Sequence, residues 1–321
     1  MAKRVVTSKS KTSGKSSSEP KAKASRKVKA KPNATVLVVP APEDTVVSVP
    51  PPTDCCDNLN INEWPHPVFS DELNSHRWGA ILFCGDVSDE HSAFRNTLKL
   101  IRTALSQCLL INPGNIKVLY NGPDPSSGAD LPVDGPATED DLSRLLQEAD
   151  SKYDVLFLVL LGHGAAKTTE DDPGLVCARK TNGTPPAQMT FARSCGHTFS
   201  CESISLQQVS DQDHLVPDIL THRELSALLS GLSNCVCHLI VHCCDSGVFA
   251  DSARSGLVGS FTSATSRDGA TVLCANQRYW IAPLAWADSL AQNSEKRPLR
   301  AALQAAHADM NLCTQSHGVF F

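Results

Sequence analysis

Two apolar runs each stop at a reactive side chain flanked by glycine, and this repeated arrangement limits the folds open to the chain. Val155 to Leu161 is uninterrupted and ends in Gly162-His163-Gly164. Leu239-Ile240-Val241 lies within HLIVHCCDSG (His238 to Gly247), where two cysteines precede an Asp-Ser-Gly turn. A buried strand followed by a turn delivers its next side chains to the carboxyl edge of a sheet. In open α/β folds that edge is where ligands bind and chemistry is done. One strand delivers an imidazole and the other a thiol, so the question becomes whether the remaining chain brings them together.

The pattern around these runs is that of a parallel sheet. Trp78 to Cys84 reads as a first buried strand, and Asp89 to Cys108 as a helix with Phe94, Leu98, Ile101 and Leu105 on one face. Ile116 to Tyr120 is a second strand, followed by a Pro/Gly-rich stretch. Thr138 and Asp141 make a capping-box-like start for a helix carrying Leu142, Leu145, Leu146 and Ala149, with Asp in place of the usual Glu or Gln. Val155 to Leu161 is then the third strand. Alternating strands and helices with continuous apolar strands predict a parallel α/β sheet covered on both faces. Residues 165–215 are polar and read as irregular, too long for an ordinary connection. Thr221 and Glu224 form a capping box before a helix with Leu225, Leu228, Leu229 and Leu232. After the second motif come a Gly/Ser-rich loop (Gly247–Ser260), a strand (Phe261–Thr265), helices at Pro283–Gln292 and Leu299–Asn311, and an edge strand in the terminal HGVFF.

Residues 1 to about 70 are Lys-, Ser- and Pro-rich without periodic apolar positions, so they read as a disordered tail ahead of a domain spanning 71–321. The net charge of -5 conceals an asymmetry: the first 33 residues hold eleven Lys/Arg against the single acid Glu19, so everything after them is strongly acidic. The run Lys21–Lys31 (KAKASRKVKAK) reads either as a nuclear-import signal or weak nucleic-acid contact, or as a solvated tail. An acidic domain repels phosphate, which argues against a nucleic-acid-binding protein. The 13 cysteines do not make a secreted disulfide scaffold, because the amino terminus has no apolar leader segment and Cys84, Cys235, Cys237 and Cys274 sit in apolar runs. No apolar run approaches a membrane span. These features predict an intracellular protein, cytoplasmic or directed to the nucleus by the basic run.

A thiol attacks as thiolate, and an imidazole beside it both favours that form and carries the proton to the leaving amine. Backbone N–H groups aimed at the developing oxyanion complete such a site. Gly164 offers an unhindered N–H, and the turn after Cys244 leaves that residue's own N–H free to point outward. The bland alternative is two ordinary core residues at strand ends; His-Gly and Cys-Asp-Ser-Gly at matching sites argue against it. A tyrosine-phosphatase loop is excluded, since the phosphate-clamping Arg six residues after the cysteine is replaced by Phe249 or Ala250, depending on register. Cys195, His197 and Cys201, with Cys177 upstream, complete no recognised metal spacing and read as scattered loop thiols.

GHG after an apolar strand, a polar insertion, Leu215-Val216-Pro217, THRELSALLSGL and a strand into HCCDSG together resemble the caspase-like cysteine peptidases, nearest the metacaspase branch and more distantly the legumains. SFTSATSRD and TQSHGVFF are similar to that group's later strands, so the resemblance covers roughly residues 76 to 321. It implies a caspase-like, mostly parallel six-stranded sheet flanked by helices. It also implies His163 as the catalytic histidine, Cys244 as nucleophile, and the amides of Gly164 and Cys244 as oxyanion hole. Two departures concern the pocket for the residue before the cut bond. Metacaspases carry Asp two positions before the nucleophile, where this chain has His242. Their second pocket acid aligns with Ser92, with Asp89 and Glu90 nearby as substitutes. Without those carboxylates a basic preference does not follow, and an acidic or uncharged residue becomes the alternative. Glu170, Asp171 and Asp172 lie where metacaspases bind calcium and supply hard oxygen ligands; a solvated acidic loop is the other reading. The sequence thus predicts a cysteine endopeptidase acting on proteins or peptides without a required cofactor, calcium activation being open. The competing reading is a catalytically silent caspase-fold scaffold that works by binding.

Overall fold

The computed structural model describes residues 76–85, 91–122, 131–166, 173–181, 188–192, 198–202, 214–254, 256–265, 271, 279–293, 298–313 and 317–320. The basic run, Asp89, Glu90, the acidic triplet 170–172, Cys195 and His197 fall outside them.

A six-stranded sheet runs through the domain in the order β11-β10-β9-β3-β1-β2. Its strands are β1 (Trp78–Cys84), β2 (Ile116–Tyr120), β3 (Val155–Leu161), β9 (Val236–His242), β10 (Val258–Ser263) and β11 (His317–Phe320). Five are parallel, and β11 closes one edge antiparallel to β10. The expected mostly parallel sheet of six strands is therefore present. β1 and β3 are buried along their whole length, as their unbroken apolar sequences require of strands covered on both faces.

Helix α1 (His91–Thr103), continued by a π-helical turn at Ala104–Cys108, lies on one face with α4 (Ile281–Asn293) and α5 (Leu299–Cys313). There Phe94, Leu98, Ile101, Trp286, Leu290 and Leu303 pack on Leu82, Phe157, Val159 and Ile240. The other face carries α2 (Glu139–Lys152) and α3 (His222–Ser230), whose Leu142, Leu146, Leu225 and Leu229 pack on Leu158, Leu160, Leu239 and Val241. The alternation of Leu239, Ile240 and Val241 between the two cores follows the two-residue period of a strand.

The caps separate two cases. Thr221 and Glu224 satisfy each other's backbone: Glu224 N–H donates to Thr221 Oγ1 (3.2 Å) and Thr221 N–H to Glu224 Oε2 (2.8 Å). At α2, Thr138 Oγ1 accepts from Asp141 N–H (3.2 Å), but the Asp141 carboxylate takes the Thr138 hydroxyl instead (2.8 Å), and the Thr138 amide goes to Pro136 O. The shorter side chain makes only half of the box.

Two expectations are corrected. The stretch 165–215 is not irregular throughout: its described residues, with those at its flanks, form β4 (Gly164–Ala166), β5 (Pro173–Thr181), β6 (Gln188–Ala192), β7 (Thr198–Glu202) and β8 (His214–Thr221), a second sheet in the order β7-β6-β4-β5-β8. These pairings are antiparallel, and Pro217 is accommodated because β8 is an edge. β5 and β8 carry apolar residues that are buried (Leu175, Val176, Leu215, Leu220), but the polar sequence between the two strands hides the pairing. β10 also begins and ends earlier than Phe261–Thr265, pairing with β9 from Val258 to Ser263 with a register shift between Val258 and Ser260.

Candidate active site

The strands β3 and β9 are parallel neighbours, with Leu161 paired to His242 and Gly162 N–H donating to His242 O (3.0 Å). His163 and Cys244 thus lie each two residues beyond the last matched pair, at the carboxyl edge of the sheet. The chain past Leu161 runs directly over the turn past His242. A Cβ placed on Gly164 would fall inside the Cys244 carbonyl oxygen and 3.1 Å from Cys244 Cα. Only glycine permits this approach of two backbones.

The amides at that contact are placed by their ladders. Val176 N–H donates to His163 O (2.8 Å), which makes 163/176 a bonded antiparallel pair and 164/175 a non-bonded one. The Gly164 N–H therefore points away from β5. The Cys244 N–H makes no hydrogen bond among the described residues. Asp245, next in the turn, holds a left-handed conformation (φ 55°, ψ 22°) that is costly for a residue with a side chain.

His163 is 3% exposed, and aromatic edges hold its ring. Phe94 from α1 stands perpendicular to it at 5.2 Å and Trp280 at 6.1 Å, the two being 5.1 Å apart. Trp280 is itself fixed to α1, its backbone N–H donating to Thr97 Oγ1 (3.3 Å). Cys244 is 8% exposed, and its sulfur meets the N–H of Thr271 at 3.5 Å and the hydroxyl at 3.6 Å. Cys243 beside it is wholly buried, and that burial, with Cys244 and Asp245 adding to it, pushes its thiol well above the ordinary range. A thiol that does not ionise at neutral pH is a poor nucleophile, which argues against Cys243 in that role.

His242 closes β9, buried at 2% exposure, with neither ring nitrogen hydrogen-bonded among the described residues. Burial pushes its pKa down to about 3, so it is a neutral imidazole at ordinary pH. Ser92 is exposed in the first turn of α1, and Asp89 lies outside the described residues. His163, Gly164 and Cys244 are thus brought together, while Ser92 makes no hydrogen bond to them among the described residues. Sequence reasoning misses Phe94 and Trp280 as orienting rings and Thr271 as the sulfur's neighbour. Phe94 is legible only as one apolar position on a helix face, and Trp280 and Thr271 carry no local pattern.

Cys84, Cys108, Cys177, Cys235, Cys237, Cys243 and Cys244 are buried and unbridged. Among the described residues no group of His, Cys, Asp and Glu could hold a metal ion, and no helix is long and apolar enough to cross a membrane.

No protein-family model matches the chain, and no curated protein does. Among solved structures the chain is similar to caspase-1 from Spodoptera frugiperda, with a TM-score of 0.40 and 11% identity over 76% of this chain and 86% of that one. A likeness at that level assigns neither a family nor an activity, so the case for a function rests on the residues at the sheet edge.

Proposed function

We propose that the chain is a caspase-like cysteine endopeptidase. Cys244 Sγ attacks the carbonyl carbon of a peptide bond, forming a carbon–sulfur bond. His163 takes the thiol proton and gives it to the departing amine, and water then hydrolyses the thioester. The amides of Gly164 and Cys244 receive the oxyanion. The single observation that supports this most is the Gly164–Cys244 backbone contact at the sheet edge, which brings the Gly164 amide, turned away from β5, and the Cys244 amide, unbonded among the described residues, to the edge that carries one thiol and one imidazole. The chemistry needs no cofactor; calcium would act on the fold through Glu170, Asp171 and Asp172 if the metacaspase resemblance extends to them.

A buried neutral His242, with neither ring nitrogen hydrogen-bonded among the described residues, gives a Lys or Arg before the cut bond no counter-charge, which removes the case for a basic residue and leaves an uncharged or acidic one as the alternative. The scaffold reading draws on a different observation: the Cys244 sulfur already has two neighbours in Thr271 and is nearly covered.

Incubating the purified protein with a mixed peptide library, with and without calcium, beside Cys244→Ala and His163→Ala decides between them. Cleavage that both substitutions abolish supports the peptidase, and the cut sites read out His242. No cleavage in either condition, from folded protein whose Cys244 resists a thiol-directed probe, supports the scaffold.

A further inference from the structure

The turn that carries Cys244 is tied to the far strand by one side chain. Thr265 lies just beyond β10 and its hydroxyl is shared between both ends of the turn: Oγ1 donates to Cys243 O (3.3 Å) and accepts from Ser246 N–H (3.0 Å). Ser246 returns the contact, its Oγ lying 3.1 Å from Thr265 Oγ1 and accepting from Thr265 N–H at 3.0 Å. Ser263 Oγ donates to Thr265 O (2.7 Å) and fixes the backbone that presents the hydroxyl. Ser246 and Ser263 are wholly buried and Thr265 nearly so (1% exposed), so no water competes for these bonds.

The proton count closes. The Thr265 hydroxyl gives its proton to Cys243 O and accepts from the amide and hydroxyl of Ser246, whose oxygen in turn accepts from the Thr265 amide. A fully satisfied buried network of this kind is rigid, and it breaks as a unit when one member is removed. What it encloses is Cys244 and Asp245, the two residues between the tied carbonyl and the tied amide. One of them is the left-handed Asp245, a conformation that persists only where the surroundings over-determine it.

We propose that Ser246 and Thr265 are positioning residues that lock the Cys244–Asp245 turn, aiming the Cys244 amide and sulfur outward from the sheet edge. The inference rests on the peptidase reading for its consequence in catalysis, but the lock itself is a property of the turn. Neither residue touches the thiol. Their effect is on where it and its amide point, and misplacement of about 1 Å is enough to lower turnover on the order of a hundredfold.

The test uses the full chain with Thr265→Val, which keeps shape and removes the hydroxyl, Ser246→Ala, their combination, and Thr265→Ser. Two quantities are read: the rate of Cys244 alkylation by iodoacetamide at fixed pH, followed by peptide mapping, and kcat and KM on a peptide the wild type cleaves. Thr265→Val and Ser246→Ala are expected to change the alkylation rate severalfold and to lower kcat at least tenfold with KM little moved. The double variant should do no worse than either single one, since they act as one pair, and Thr265→Ser should restore both readouts. A Thr265→Val protein with wild-type alkylation and kcat overturns the proposal. So does a loss of kcat no larger than that of an equally destabilised variant on α2, Leu146→Ala. Should Thr265→Val not fold, Ser246→Ala decides by the same two readouts. If the wild type cleaves nothing while the variants still alter alkylation, the peptidase reading fails and the lock stands.

Discussion

Gly164 and Cys244 meet backbone to backbone: the α-carbon of the first lies where any side chain would collide with the carbonyl of the second. The contact joins two segments 80 residues apart in sequence and defines the candidate site more tightly than either motif does alone. It also explains why the histidine motif carries glycine on the Cys244 side.

Gly164→Ala should therefore damage the site and the fold together. The added methyl must push the Cys244 turn off the sheet edge, an overpacking that costs about 1–3 kcal/mol or more. A lower midpoint in denaturant unfolding and an altered Cys244 alkylation rate are expected. An unchanged midpoint would show that the two backbones are farther apart.

His242 and His238 make stability fall on acidification. Burial pushes their pKa values down, to about 3 and about 4, with His238 also bonded through Nδ1 to Ser260 Oγ (2.8 Å). The unfolded chain binds these protons near pH 6.5 while the folded chain does not. Their contribution is complete above pH 6.5 and is lost as pH falls toward those lower values. Each histidine adds a slope of at most about 1.4 kcal/mol per pH unit in that window. Denaturant unfolding between pH 7 and pH 5 should show the slope, and His242→Phe should reduce it. An identical slope in that variant would mean that His242 titrates normally.

Asp150 holds the turn that feeds β9. Its carboxylate accepts from the amides of Ser233, Asn234 and Cys235 and from the side chains of Ser233 and Asn234, at 2.8–3.1 Å. Burial alone would push its pKa up, but these bonds outweigh it and hold the carboxyl down to about 2. Asp150→Ala is expected to cost about 1–3 kcal/mol, the lower part of that range being favoured by the exposure of the turn. Asp150→Asn, which keeps one acceptor, should cost less; equal losses in the two would assign the effect to packing.

Phe94 and Trp280 set the His163 ring. Phe94→Leu keeps most of the volume and removes one perpendicular ring, for a loss of about 1–2 kcal/mol. Cleavage should fall by more than that loss of stability accounts for, and the His163 ring protons should shift in NMR spectra. Unmoved His163 resonances would mean that the ring is held elsewhere.

The strands β1, β2, β3 and β9 and the box at Thr221 are legible in the sequence because each is specified within a few residues: continuous apolar runs, or two side chains three apart. The arrival of His163 and Cys244 at one sheet edge is also legible, since the ends of two neighbouring parallel strands share an edge. The second sheet is not, because its strands are set by antiparallel pairing, and β5 and β8, whose Leu175, Val176, Leu215 and Leu220 are buried, find each other across a long stretch of sequence. Nor is the state of His242, for a histidine two residues before a thiol reads the same in water as in a core. Its neutrality comes from burial, which the tertiary fold decides. The Thr265 hydroxyl, the perpendicular rings of Phe94 and Trp280 and the neighbour of the sulfur at Thr271 all act across 19 residues or more. Local patterns of strand and turn are enough to say which groups arrive at the sheet edge. How those groups are oriented, and whether they carry charge, depends on burial and long-range hydrogen bonds, which exist only once the chain has closed on itself.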